Sequence, residues 1–327
     1  MGMKMNENLL VIGLGSMGQR RVRILKQLYP HCTVAGIDSN PARAEKVGLE
    51  YGIEVYGDVE EITMPVYAAF ICTSPESHHK LIHLCLEKGS HVFSEINLVD
   101  TGYEKNMALA DARKRVLFLS STPLYKDEIR YIIHKVRTNK EKKVYAYHVG
   151  QYLPDWHPWD NLRDFFVSEK STNGCREILA IELPWLVAAF GKVQSVKVLK
   201  NNFSHLDIRF PDTYMIWLTH EDGTTGNLIV DVVSRKAVRK LEIYNEDMYL
   251  SWNGTPDSLL ERDVEKGREH MIEFDNYIHD ERYGAFINEA AYVREVEEFF
   301  EVLKGKKALY GFAQDQEIID LINRIEG

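Results

Sequence analysis

Gly13, Gly15 and Gly18 stand at a spacing suited to holding phosphate against bare backbone. The short apolar run Asn8–Ile12 precedes them, and QRRVRILKQL follows with Val22, Leu25 and Leu28 at helical spacing. In a strand–turn–helix of this kind the first glycine permits the tight turn, the second lets the backbone approach a pyrophosphate, and the third allows close helix–strand packing. Ser16 and Met17 complete the loop, and the helix N-terminus favours the phosphate charge. A second β-rich run, Thr33–Ile37, ends in Asp38, 20 residues beyond Gly18, where a carboxylate can accept hydrogen bonds from a ribose. The expected ligand is a dinucleotide, NAD or NADP. The Asp38 carboxylate disfavours a 2′-phosphate and so favours NAD, while Ser39 and Arg43 leave NADP open. Arg20 and Arg21 either flank the phosphates or form an exposed helix face.

Further groups able to do chemistry stand where later strands end. Ala68–Cys72 reads as a buried strand that runs into Thr73, Ser74, Pro75 and, at the start of a helix, His78. His91–Ser94 reads as another strand, running out into Glu95, Ile96 and Asn97. These steps predict a doubly wound parallel sheet. Ligands of such sheets bind at the carboxyl ends of strands, which places Thr73, Ser74, Pro75, Glu95 and Asn97 beside the cofactor, with His78 holding the loop. Beyond residue 140 the pattern changes. Lys142–Tyr152, Val193–Asn201, Asp212–His220, Thr225–Val233 and Arg239–Tyr244 are β-rich runs arriving without intervening helices, apart from one helix over Cys175–Phe190 that ends at Gly191. The fold class is therefore α/β: a Rossmann domain over residues 1–122 and a second α+β domain over 123–327, with an open, mainly antiparallel sheet.

The bulk properties exclude several roles. The net charge of −9, with no lysine–arginine block, argues against a nucleic-acid partner. No apolar run reaches the roughly 20 residues that span a bilayer, no secretory segment opens the chain, and position 6 lacks the Ser or Thr of a myristoylation signal. A soluble, cytoplasmic chain is expected. Cys32, Cys72, Cys85 and Cys175 have neither CxxC nor ligand-like spacing, so they read as buried thiols and no metal site is expected.

The succession GLGSMG, DSNPARA, ICTSPESHH and KGSHVFSEINLV, closed by AAYVREVEEFFEVLKGKKALYGFAQDQEIIDLI, resembles the Gfo/Idh/MocA oxidoreductases, the glucose-fructose oxidoreductase and inositol dehydrogenase family. The resemblance implies a sugar, nucleotide sugar or cyclitol as substrate, oxidised or reduced with NAD(P). It also implies a homodimer or homotetramer formed through the C-terminal sheet. It further implies a Glu-Lys-Pro motif and a helix bearing Asp and His, and here the chain departs from the family. Ile96 replaces the lysine, and TNGCREILAIELPWLVAAFG offers Glu177, Glu182 and Pro184 but no histidine. Isoleucine can neither donate a proton nor carry charge. Replacement groups are sought in the polar-aromatic loop Tyr152–Asp160, which gathers Asp155, His157 and two tryptophans, and in Glu182, which is either paired or faces a cleft. Lys126 and Lys170 are candidate cations or else surface groups. The expected activity is an NAD(P)-dependent oxidoreductase with a non-standard proton-handling site built on His157, Glu182 and Asp155. The alternatives are a dinucleotide-binding sensor without turnover, or an enzyme using bound NAD in a redox-neutral sugar transformation.

Overall fold

A computed structural model of the chain describes residues 7–156, 167, 169–275 and 287–327. The chain up to Ser121, together with Val293–Gln316, forms one compact unit, and Thr122–Tyr292 with Glu317–Gly327 forms a second.

In the first unit strands β1 (Asn8–Ile12), β2 (Thr33–Ile37), β3 (Glu54–Tyr56), β4 (Ala68–Ile71), β5 (His91–Ser94) and β6 (Leu117–Leu119) make one sheet in the order β3-β2-β1-β4-β5-β6. Every pairing in it is parallel. Helices α1 (Ser16–Leu28), α2 (Pro41–Tyr51), α3 (Pro75–Glu87) and α4 (Tyr103–Arg113) supply the connections such a sheet requires. The strands are short continuous apolar runs because both faces are covered: Leu9–Ile12 and Ala68–Ile71 are buried throughout. Phe70, Phe93 and Phe118 occupy matching positions on β4, β5 and β6. Their rings stack at 5.0 and 5.1 Å, and Phe299 of α7 (Glu289–Leu303) meets all three edge-on at 5.4 to 5.6 Å. Aromatic pairs of this geometry add about 0.5–1.5 kcal/mol each beyond area burial. They also tie the late segment Val293–Gln316 to the sheet.

The second unit begins with α5 (Asp127–Thr138) and β7 (Val144–Gly150), followed by α6 (Gly174–Phe190). Strands β8 (Val193–Asn201), β9 (Thr213–His220), β10 (Thr225–Asp231), β11 (Val238–Asn245), β12 (Met248–Trp252), β13 (Leu260–Asp263) and β14 (Arg268–Met271) complete it, and α8 (Phe312–Glu326) closes the chain. The eight-stranded sheet runs β14-β13-β12-β11-β7-β10-β9-β8. Its neighbours are antiparallel except for β7 and β10, which run parallel. Alternation decides its two faces: Tyr145, Tyr147 and Val149 of β7 are buried, while Val144 and Ala146, alternating with them, are exposed. The Tyr145 ring lies over Phe190 of α6 at 4.2 Å, and its partner across the ladder is Gly226, where a Cβ would fall 1.8 Å from the ring. α6 starts at Asn173, whose side chain accepts from the Arg176 N–H, and stops at Gly191 with φ of 88°.

Candidate functional site

The glycine loop has the geometry of a phosphate cradle. Gly13 adopts φ of +90°, and a Cβ there would lie 2.7 Å from the Cys72 carbonyl oxygen. A Cβ on Gly18 would lie 1.8 Å from the Gly13 carbonyl oxygen, so α1 packs against the turn only because that side chain is missing. At Gly15 the added atom meets nothing within 4 Å. Gly15 is the N-cap of α1, no side chain caps the helix, and its first turn holds no acidic residue. The terminal N–H groups of α1 therefore stand beside open space, as an anion requires. The Asp38 carboxylate closes the turn: its Oδ2 accepts from the Leu14 N–H at 2.8 Å and from Arg43 at 3.3 Å, and its Oδ1 accepts from the Asn40 N–H at 2.8 Å. With about two acceptor sites on each carboxylate oxygen, Oδ1 keeps capacity for a ribose hydroxyl. These residues fit a dinucleotide.

At the ends of β4 and β5 the polar residues are linked. Thr73 and Ser77 share a hydroxyl hydrogen bond of 2.6 Å, and Ser74 with Pro75 opens α3. His78, 1% exposed, lies with Nε2 2.8 Å from the Thr73 carbonyl oxygen and Nδ1 2.7 Å from Asn97 Oδ1. Both partners as placed are acceptor oxygens and a neutral ring has one N–H, so Nε2 donates to Thr73 and Nδ1 accepts from the Asn97 amide once that amide is turned to present Nδ2. Burial lowers the His78 pKa, which keeps the ring neutral and makes it a strut between the two strand ends. Ile96 is half-buried between buried Glu95 and Asn97.

Beneath Glu95 lies a group that sequence reasoning missed. Arg21, expected at the phosphates or on an exposed face, is 0% exposed and does neither. Its Nε donates to Glu95 Oε1 at 2.6 Å and its Nη2 donates to Glu295 Oε2 at 2.7 Å, while its guanidinium lies 4.5 Å from the Phe93 ring centre. Glu295 also accepts from the Ser120 hydroxyl at 2.9 Å and the Ser121 N–H at 2.8 Å. Burial raises the Glu295 pKa, and Glu95 adds to that rise while Arg21 opposes it. Arg20 is buried as well, with Nη1 3.0 Å from the Met17 sulfur.

In the second unit Glu182 is buried and paired. Arg239 donates to its Oε1 through Nε and Nη2 at 3.0 and 2.7 Å, and Tyr147 and Trp185 donate to Oε2 at 2.8 and 2.7 Å. Desolvation pushes the carboxyl up, but Arg239 and these donors outweigh it and its pKa is lowered. Glu182 is thus held ionised. Lys126, the residue before α5, is 8% exposed rather than a surface group. Burial and the neighbouring Arg239 lower its pKa to about 8, against the opposing pull of Glu128 and Glu182. Lys170 is exposed. Glu177, in the first turn of α6, has its Oε2 enclosed without a hydrogen-bond partner, and burial raises its pKa to about 7. Asp155 is exposed in the short turn Leu153–Asp155, and Trp156 donates to the Gln151 carbonyl at 3.3 Å. His157, with Pro158, Trp159 and Asp160, lies outside the described residues.

Taken together, the glycine cradle, the acid at the end of β2 and the sheet order define a dinucleotide-binding Rossmann protein. Residues 8–119 match the family described as "Oxidoreductase family, NAD-binding Rossmann fold". A UDP-N-acetylglucosamine 3-dehydrogenase from Acidithiobacillus ferrooxidans is 23% identical over 243 residues, 74% of this chain and 72% of that protein. A solved structure of that enzyme aligns with TM-score 0.76 at 16% identity, covering 98% of this chain and 97% of the other. Levoglucosan dehydrogenase in complex with NADH aligns with TM-score 0.80 at 13% identity, covering 98% and 96%. At these identities the structural matches show that the fold is common to all three.

Proposed function

We propose that the protein is an oxidoreductase that uses NAD, in preference to NADP, to interconvert a hydroxyl and a carbonyl on a sugar or nucleotide sugar. The observation carrying this reading is the glycine cradle, with its open space at Gly15 and the acceptor Asp38 beside it, in a chain whose relatives include dehydrogenases of UDP-N-acetylglucosamine and levoglucosan. Gly13, Gly15, Ser16, Met17 and Gly18 hold the pyrophosphate, Asp38 and Ser39 the ribose, and Thr73, Ser74, Pro75, Glu95 and Asn97 the remainder, with His78 bracing Thr73 against Asn97. When bound, the dinucleotide supplies or accepts the hydride. The chain itself must move one proton at the substrate oxygen. Glu182 holds its neighbourhood ionised and braced through Arg239, and Lys126 is the group for the proton: as an ammonium it gives one to a carbonyl oxygen, and as an amine it takes one from a hydroxyl. Asp155 and His157 serve the substrate from the loop that carries them.

The open face of the second-unit sheet presents Val144, Leu199, Met215, Trp217 and Tyr244, all large and exposed. That face supports assembly as a homodimer or homotetramer.

The deciding experiment is a fluorescence titration with NADH and NADPH, followed by absorbance assays with a panel of sugars and nucleotide sugars. Tighter binding of NADH and turnover of at least one panel member are expected. Binding without turnover across the panel would overturn the dehydrogenase reading in favour of a sensor, and no binding would overturn the cofactor reading.

A further inference from the structure

The buried group Glu95–Arg21–Glu295 calls for a physical reason beyond stability. Ion pairs taken out of water give little or no net stability over an apolar replacement, because desolvation cancels much of the attraction. Here two carboxylates share one guanidinium, and all three side chains lie within the first unit at 9% exposure or less. The two carboxylates do different things. Glu295 is fully enclosed: Arg21 holds its Oε2, and Ser120 and Ser121 hold its Oε1. Glu95 gives Oε1 to Arg21 and keeps 9% of its side chain exposed, at the carboxyl end of β5 where a doubly wound sheet meets its ligand. Arg21 itself cannot swing aside, since the Phe93 ring lies against its guanidinium and the Ser120 hydroxyl is 3.5 Å from Nη2.

We propose that Glu295 is a positioning residue for the cofactor site, acting through Arg21 to hold Glu95 as a fixed acceptor for a hydrogen-bond donor on the bound dinucleotide. The proposal rests on the dinucleotide reading above. Glu295 touches no ligand; it fixes the far end of the guanidinium, so that the near end presents Glu95 in one rotamer. A carboxylate so held loses less rotamer freedom on binding than a free one. The helix α7, separated from Arg21 by 274 residues of sequence, is thereby part of the binding machinery.

The test is a double-variant cycle on the dissociation constant of NADH, read by fluorescence, with thermal melting as the check on folding. Glu295→Gln is expected to weaken NADH binding about tenfold and Glu95→Gln by at least as much. The double variant should bind no more weakly than Glu95→Gln alone, because residues acting in one chain of contacts are not additive. Ser120→Ala removes a single donor to Glu295 and disturbs packing little. It should weaken NADH binding severalfold in the parent and not at all in the Glu95→Gln background, which decides the matter if Glu295→Gln does not fold. Variants that bind NADH as the parent does, or losses that multiply in the double variants, would overturn the proposal while leaving the cofactor reading intact. A parent that binds neither NADH nor NADPH overturns both.

Discussion

At the scale of single residues, chemistry is decided by which ionisable groups are locked and which are poised. Glu182 is locked: four donor groups converge on its two oxygens, and its lowered pKa follows from Arg239 and those donors overcoming burial. Its contribution to stability is present above the unfolded value of about 4.3 and is lost as pH falls through the lower folded value. Glu182→Gln should therefore destabilise the protein by about 3–5 kcal/mol at pH 7, since it strands a buried guanidinium, and urea unfolding will measure the loss. Lys126 is the poised group. In the role proposed for it, with its pKa lowered to about 8, the ammonium would be the proton donor in carbonyl reduction, and the reductive rate should fall as pH rises through about 8. In alcohol oxidation the deprotonated amine would be the acceptor, and the rate should rise through the same point. Lys126→Met should lower turnover about 10²–10⁴-fold and flatten both limbs, with NADH affinity unchanged in the fluorescence titration. Lys126 stood in the sequence only as a candidate cation, with a surface group as the alternative. It precedes Asp127 and Glu128, and a lysine beside two acids reads as a solvated helix start; only the packing around Arg239 and Glu182 encloses it.

At the scale of elements, the second and third glycines of the cradle look alike in sequence and behave differently in space. Gly15→Ala adds a methyl that meets no protein atom within 4 Å, so melting temperature should stay within a few degrees while NADH affinity falls at least tenfold, the methyl occupying the phosphate's place. Gly18→Ala puts the methyl 1.8 Å from a backbone oxygen, and folding itself should suffer, seen as a lowered melting temperature without ligand. If the two variants lost affinity and stability in the same proportion, the distinction would fail. Much of the framework was legible: β1, β2 and β5 begin and end where their apolar runs do, since strands buried on both faces announce themselves as continuous hydrophobic segments, and the mostly exposed β8 matches its β-rich run. The β7–β10 pairing was not. Alternation places residues on faces but says nothing of which strand lies alongside, and β10 arrives beside β7 only after α6, β8 and β9 have carried the chain round. The Arg21–Glu295 contact was hidden for the same reason, because no local pattern links a glycine-loop helix to an acid 274 residues on.

At the scale of the whole molecule, two properties summed over many residues become measurable. The open face of the second-unit sheet carries Trp217 at 54% and Leu199 at 67% exposure, in a chain with net charge −9. Trp217→Glu should shift the mass in light scattering to that of a monomer, whereas an unchanged mass would place any self-association elsewhere. The pH dependence of stability follows from carboxyls that burial has pushed upward. The Asp315 carboxyl, accepting from Tyr103 and Tyr310, is raised to about 6, and Glu177 to about 7. For a carboxyl whose folded pKa exceeds its unfolded one, full stability is present below the unfolded value, about 3.9 for Asp and about 4.3 for Glu, and is lost as pH rises through the folded value. Glu182 and Asp231, with lowered values, act in the opposite sense at low pH. Stability should therefore peak on the acid side of neutrality. Glu177 isolates the effect, because burial alone raises it and its enclosed Oε2 has no hydrogen-bond partner. Its rise from 4.5 to about 7 corresponds to about 3 kcal/mol of stability lost above pH 7. Glu177→Gln keeps the shape and removes the ionisation. It should match the parent at pH 4 and exceed it by about 2–3 kcal/mol at pH 8 in urea unfolding, so a difference that does not change between the two pH values would show that Glu177 is already ionised in the folded protein.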